Sequence, residues 1–359
     1  MSINPREIPE GAIRFNTDSS KMEVWIGDKW MQVAVSSPDL GDSTAGARGL
    51  IMGGNSPGAP NQGRLNNIEY VTITSAGNSQ DFGDLSGNGR SDLGSCASAT
   101  RGFAMGGFDE NTPNYNNEID FVTISSTGNA TDFGDLIVKR QPPACFSNAT
   151  RGCCAGGYII GAATPLYPSN QGVNIIDFVT MTSAGNAVDF GDMTIAYRNK
   201  DSCQSPTRGF LIGGYNSPGD DTNVMEFVVT ATTGNAIDFG DTVSGKVGWG
   251  QNGYGSPTRG VFPLASGGGP NYVHDSLNYI TLSTLGNTTE YGDLTTNRNL
   301  ACSFSNPTRG ILVAGGSPQS DDIDYHNIAT GGKAVDFGEY SAYSHLNASA
   351  GCSNAHGGL

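Results

Sequence analysis

The chain has 359 residues, 52 of them glycine, and only 15% are charged, a composition suited to many short strands joined by tight turns and poorly suited to helical bundles. Its formal charge of −15 repels phosphate backbones and anionic lipid, which argues against nucleic-acid or membrane-surface binding. No stretch approaches the roughly 18 to 20 apolar residues that span a bilayer, and Met1 to Pro9 hold no apolar signal core, so neither membrane insertion nor a secretory leader is expected.

Residues 1–38 lie outside the repeats found further along. Gly11-Ala12-Ile13-Arg14-Phe15-Asn16-Thr17, followed by Glu23 to Val33, reads as strand, turn, strand, turn, strand, with turns at Thr17 to Ser20 and at Gly27-Asp28. The form Gly-x-Ile-Arg-Phe-Asn-Thr, then a strand and Gly-x-x-Trp, resembles a short module of bacteriophage tail fibres and other virion proteins. Three strands this small cannot bury enough surface to stand alone. Phe15, Trp25 and Trp30 are therefore candidate docking residues, packing either on the rest of the chain or on another subunit or virion component.

From residue 39 onward the sequence is repetitive. Arg-Gly recurs at Arg48, Arg101, Arg151, Arg208, Arg259 and Arg309, spaced 50 to 57 residues apart. Asp-Phe-Gly-Asp recurs in parallel, starting at Asp81, Asp132, Asp189 and Asp238, with the variants Glu290-Tyr291-Gly292-Asp293 and Asp336-Phe337-Gly338-Glu339. Six units with a period near 50 and several strands each are the mark of propeller blades.

Within a unit, Arg-Gly opens a short apolar strand ending in Gly-Gly, as in Phe210 to Gly214. A loop of variable length leads to a β-branched and aromatic strand such as Ile119 to Ile124. A turn such as Thr127-Gly128-Asn129, whose Gly and Asn tolerate φ > 0, returns the chain along the Asp-Phe-Gly-Asp strand. A polar loop, carrying Arg90, Arg140, Arg198, Lys246 or Arg298, then enters a strand rich in Cys, Ser and Ala. Four strands per unit result.

This order, with Gly-Gly at a strand end, an aromatic where Trp is usual and a basic residue in the next loop, resembles the kelch repeat over residues 48–359. The resemblance implies an all-β, six-bladed propeller in which the Cys/Ser strand is innermost. The chain supplies the last three strands of blade one before any innermost strand. Residues 350–356 match the missing phase and are expected to complete blade one, removing an exposed sheet edge. The domain reading is 1–38 as a docking or oligomerisation segment and 39–359 as the propeller.

Three constellations were candidates for chemistry. The twelve acidic residues of the Asp-Phe-Gly-Asp markers repeat in every unit, whereas a catalytic pair is asymmetric; turn capping or pairing with the repeated arginines is expected of them, and calcium-loop spacing is absent. Cys96, Cys145, Cys203, Cys302 and Cys352 fall at nearly one phase, with Cys153 and Cys154 adjacent on a strand. Seven thiols in a large chain argue against a disulfide framework, and these read as small buried residues of inner strands. His274, His326, His345 and His356 lack ligand spacing. Tyr254 occupies the Cys phase of blade five, which leaves a copper oxidase of the galactose oxidase type as a third reading; no cofactor and no metal are expected.

The variable loops between the second and third strands run over residues 55–66, 108–116, 158–174, 215–223, 267–275 and 317–321. They carry Tyr115, Tyr158, Tyr167, Asn170, Tyr215, Tyr272 and His274, and Trp249 comes from a neighbouring loop. Aromatic faces beside amide donors and acceptors suit glycan or protein recognition, which makes these residues a candidate binding rim. The function expected is a bacteriophage virion protein, made in the host cytoplasm and oligomeric in the assembly. It would bind other virion proteins through residues 1–38 and a host-surface glycan or protein at the rim. A cytosolic kelch-type adaptor is the alternative.

Overall fold

The computed structural model describes residues 9, 11–16, 21–27, 29–32, 47–57, 59, 63–109, 115–159, 171–198, 201–214, 222–242, 253–263, 274–316 and 318–359. The chain divides into two compact units, Met1–Ser43 and Thr44–Leu359. In the first, β1 (Ile13–Asn16), β2 (Lys21–Ile26) and β3 (Lys29–Gln32) form an antiparallel sheet in that order, with Ile13 opposite Val24 and Trp25 opposite Trp30.

In the second unit every regular element among the described residues is a strand, and the strands form antiparallel sheets. Sheet I holds β4 (Arg48–Met52), β5 (Asn67–Thr72) and β6 (Gln80–Asp84). Sheet II is β7 (Gly94–Ala97), β8 (Arg101–Met105), β9 (Glu118–Thr123) and β10 (Thr131–Asp135). Sheet III is β11 (Ala144–Ser147), β12 (Arg151–Ala155), β14 (Gln171–Thr180) and β15 (Val188–Tyr197), with the short β13 (Tyr158–Ile159) also on β14. Sheet IV is β16 (Asp201–Gln204), β17 (Arg208–Ile212), β18 (Val224–Val229) and β19 (Ile237–Asp241). Sheet V is β20 (Tyr254–Gly255), β21 (Arg259–Pro263), β22 (His274–Thr281) and β23 (Thr289–Arg298). Sheet VI is β24 (Cys302–Ser305), β25 (Arg309–Gly316), β26 (Gln319–Asn327) and β27 (Val335–Glu339). The last strand, β28 (Ala350–Ser353), joins sheet I beside β4, with Ala350 opposite Met52 and Ser353 opposite Gly49.

The strand expected over 350–356 thus ends at Ser353. Arg48 N–H donates to Asn354 Oδ1 at 2.9 Å and Asn354 N–H to Arg48 O at 3.3 Å. These bonds close the pairing and turn the chain away. The expected loops at 158–174, 267–275 and 317–321 are partly strand, because β14, β22 and β26 run long and keep pairing past the core.

Apolar clusters lie between consecutive sheets. Leu50 and Met52 of sheet I meet Ala97 and Val122 of sheet II; Phe103 meets Val179, Phe146 meets Leu211, Phe210 meets Phe262 and Val261 meets Leu312. Cys302 and Phe304 of sheet VI return to Ile51 and Val71 of sheet I. Burying one such side chain contributes about 1.5 to 3 kcal/mol, so each sheet is stabilised mainly by the two beside it. The first strands follow the same cyclic order, β28 beside β7, then β11, β16, β20, β24 and β28 again.

Candidate functional site

The repeated residues make the same contacts sheet after sheet. At Asp-Phe-Gly-Asp a register shift places one extra residue on the outer strand, for instance between Asp132 and Gly134. Such a bulge bends the strand, and the bulged aromatic turns into the core; Phe82, Phe133, Phe190, Phe239, Tyr291 and Phe337 are all buried. The next glycine must be glycine: Gly83 has φ +148°, and a Cβ there would stand 2.5 Å from Gly128 O in the following sheet. The hairpin turn of that sheet docks on this spot. Gly128 N–H donates to Phe82 O, and the same bond recurs at Gly185, Gly234, Gly286, Gly332 and Gly77, at 2.7 to 3.1 Å. Asn129, Asn186, Asn235, Asn287 and Asn78 then accept the N–H of the marker's last acid.

Arg-Gly makes a second set of joints. Each arginine donates Nη1 to a backbone carbonyl of the next sheet: Arg48 to Ile124, Arg101 to Met181, Arg151 to Thr230, Arg208 to Leu282, Arg259 to Ile328 and Arg309 to Ile73. Its guanidinium also lies 4.5 to 5.0 Å over an aromatic ring of its own sheet, as Arg151 does over Phe178. These arginines are therefore directed at carbonyls and rings, and the marker carboxylates are not their partners. The glycine leaves room for a side chain of the preceding sheet's first strand: a Cβ at Gly209 would overlap the Phe146 ring, one at Gly310 the Tyr254 ring and one at Gly49 the Phe304 ring. Cys96, Cys203 and Cys352 fill the same place against Gly152, Gly260 and Gly102. Cys145 and Cys302 sit one and two residues earlier, so the single cysteine phase resolves into three register positions.

Nearer the first strands, Ser95, Ser147, Ser202, Ser305 and Ser353 each donate a hydroxyl to a carbonyl of the preceding sheet. Three arginines of the polar loops are wholly buried. Arg90 pairs with Asp120, Arg140 with Asp177, and Arg298 with Asp324 at 2.6 Å. Each is also held by carbonyls, such as Gly106 and Glu118 for Arg90 and Ala314 and Asp322 for Arg298. Burial pushes the Asp120 carboxyl up, more than Arg90 and Ser86 pull it down. Burial opposes the Arg140 charge, yet Asp177 leaves its pKa above the ordinary value. These pairs were legible as a polar residue inside an apolar third strand and a basic residue about 30 positions before it.

At the end of the sheets where second strands pass to third, a row of rings and guanidiniums crosses sheets I to III. Arg64 lies 4.1 Å over Phe108; Phe108 and Tyr115 are 5.8 Å apart; Tyr115 and Tyr158 are 6.3 Å apart; Arg198 lies 4.2 Å over Tyr158. Backbone bridges Ser91 to Phe108, Phe108 to Tyr115 and Gln141 to Tyr158 fix the row. They also draw Tyr115 inward: it is 3% exposed, not on the surface, and burial pushes its hydroxyl pKa up. Phe108 and Tyr158 remain half-buried. His274 opens β22 opposite Arg298, far along the chain from this row. Tyr167, Asn170, Tyr215, Trp249 and Tyr272 lie outside the described residues. In the first unit Phe15 sits on β1 opposite Met22. Trp25 is buried and Trp30 half-buried, with ring centroids 5.3 Å apart and Arg14 at 4.2 Å over Trp30.

The histidines occupy separate places. His326 stacks on Tyr254, has Tyr291 tilted against it, and its ring hydrogen-bonds Asp293 O at 3.2 Å; burial lowers its pKa. His356 belongs to the tail after β28. Its Nε2–H donates to Ala97 O at 2.6 Å and its Nδ1 accepts Gly358 N–H at 3.0 Å. Gly357 packs on Ser256 O and Gly358 on Ser147 O, so the tail touches sheets II, III and V. Tyr254 packs with Leu312, whereas Cys302 packs with Ile51 in a different cluster. Among the described residues no three His, Cys, Asp or Glu side chains converge as metal ligands.

No protein-family model matches the chain, and comparison with curated proteins finds no match either.

Proposed function

We propose that Thr44–Leu359 is a six-bladed, kelch-like β-propeller serving as a binding module of a bacteriophage virion appendage, such as a tail fibre or baseplate. The observation that carries the propeller reading is the cyclic order of the joints. Turn glycines, Arg-Gly arginines and apolar clusters each link a sheet to its successor, and sheet VI to sheet I. That structural use of the repeated glycines, arginines and aromatics supports a scaffold, not a catalyst. What differs between sheets is the length of the links from second to third strands, which leave by the end carrying Phe108 and Tyr158. Half-buried aromatic faces flanked by guanidinium groups suit a sugar face or a protein surface of the host.

The virion reading rests on residues 11–30, whose pattern resembles tail-fibre modules. Residues 1–38 would hold the protein, as an oligomer, to other virion components. The test is peptide mass spectrometry of purified particles carrying either the full chain or a chain lacking residues 1–38. The full chain is expected in stoichiometric amount and the shortened one is expected to be lost, with the strand signal of the isolated protein by circular dichroism unchanged. Absence of the full chain from particles would favour the cytosolic adaptor instead, and normal incorporation of the shortened chain would remove the docking role of Trp25 and Trp30.

A further inference from the structure

Cys145 on β11 and Cys154 on β12 are direct partners across the strand pair. Asn148 N–H donates to Arg151 O at 3.1 Å, and pairs alternate from there, which makes 145 and 154 a non-hydrogen-bonded pair. The Cα atoms of such pairs stand about 4.5 Å apart, within the range of about 4.4 to 6.8 Å that a disulfide spans. Gly94 of the preceding sheet clears space for the Cys145 sulfur. The S–H of Cys145 has two sulfur neighbours, Met105 Sδ at 3.9 Å and the Cys154 thiol. Cys153, the next residue, projects to the other face, into the cluster with Phe146 and Leu211. We propose that Cys145 and Cys154 are a peroxide-oxidisable pair that closes into a cross-strand disulfide within sheet III.

The surroundings fit one order of events. Burial opposes ionisation of Cys154, but the hydrogen bond from Cys145 and the Arg140 guanidinium bring its pKa below the ordinary thiol value. Arg140 donates to the Cys154 carbonyl at 3.0 Å, which keeps it in place. Burial and the same hydrogen bond push Cys145 well up. Cys154 is accordingly the attacking thiolate. It takes one oxygen from hydrogen peroxide, forming a sulfenic acid as the O–O bond breaks and the other oxygen leaves as water. The Cys145 sulfur then attacks the sulfenic sulfur; the S–O bond breaks, the S–S bond forms, and the Cys145 proton leaves with the hydroxyl as a second water. Two thiols and one peroxide become one disulfide and two waters. Peroxide is close to water in size, which suits a buried site that larger disulfide oxidants cannot enter.

The experiment treats the full chain with a slight excess of hydrogen peroxide, removes the peroxide with catalase, denatures, alkylates and maps peptides by mass spectrometry. Alkylation of Cys145 is expected to fall at least tenfold, with one dithiothreitol-reversible link between peptides 141–151 and 152–198 and with Cys96, Cys203, Cys302 and Cys352 still alkylated. Cys153→Ser must retain the link, which assigns it to Cys154; Cys154→Ser must abolish it while leaving Cys145 fully alkylated. A Cys145 that remains alkylated in the wild-type chain overturns the proposal, and so does a link lost in Cys153→Ser. Because the Cys153→Ser and wild-type measurements decide the matter together, a Cys154→Ser chain that fails to fold does not protect it.

Discussion

Acidification offers a sharp test of the tail after β28. His356 is 4% exposed, and its two ring nitrogens have opposite roles, Nε2–H as donor to Ala97 O and Nδ1 as acceptor from Gly358 N–H. Only the neutral ring satisfies both. Burial lowers its pKa from 6.5 to about 4, against the pull of the Ala97 carbonyl. Between those values the unfolded chain binds a proton that the folded ring refuses, so stability falls as the pH falls. The contribution of the neutral ring is complete above pH 6.5 and is lost on the way down to about pH 4. At about 1.4 kcal/mol per pKa unit, the gap amounts to about 3 kcal/mol, most of it gone by about pH 4.5. His356→Gln keeps an N–H for Ala97 but no proton to gain, and it places no acceptor at the Nδ1 position for Gly358 N–H, which costs about 1 kcal/mol at neutral pH. Urea unfolding of both proteins at pH 7.5, 6, 5 and 4.5, followed by circular dichroism, gives the difference between them, in which all other titrating groups cancel. The wild type should be the more stable at pH 7.5 and the less stable at pH 4.5. A difference that stays constant over the range refutes the assignment of a buried neutral His356.

Arg140→Met leaves Asp177 buried without its partner and should cost about 3 to 5 kcal/mol in the same unfolding assay, whereas Arg140→Met with Asp177→Leu should recover most of the loss; a single variant near wild type would mean the pair is solvated. Gly209→Ala drives a methyl into the Phe146 ring and should destabilise by about 1 to 3 kcal/mol or more. A Gly209→Ala chain as stable as the wild type in the same assay would refute the steric reading. Arg259→Lys loses the forked donation to Ile328 and Ala329 and the flat contact with Tyr279, and a drop of about 1 kcal/mol in unfolding free energy is expected.

The sheets were legible because their boundaries are written in residues with few conformational alternatives. Gly-Gly after an apolar run and Gly-Asn between β-branched runs mark strand ends and turns, and each occurs in five of the six units. Recurrence does not name a contact partner. Nothing in Arg208 or Gly234 says that one reaches Leu282 and the other Phe190, because those distances are created by stacking sheets whose separation in sequence is about 50 residues. For want of that information the marker acids read either as turn caps or as partners of the arginines; opposite charges near the solvent gain little, and the arginines reach carbonyls of the next sheet instead. Tyr115 differs for a related reason: an aromatic in a polar loop reads as exposed, and only the bridge to Phe108 reveals that it is drawn inward. The buried Arg–Asp pairs carried a readable signal, a carboxylate at the same point of three apolar third strands, at Asp120, Asp177 and Asp324.

The strand that follows the link from the first unit, β4, lies between β28 and β5 and is hydrogen-bonded on both flanks. Tension drawn along the axis of β4 would strain the bonds on both flanks in shear, so that they must yield together. A strand at the border of a sheet, pulled across its ladder, would instead peel one bond at a time. The terminal strand β28 is outside the load path and acts as a cleat. A pull entering β4 at Arg48 along the strand would thus load two hydrogen-bonded ladders at once.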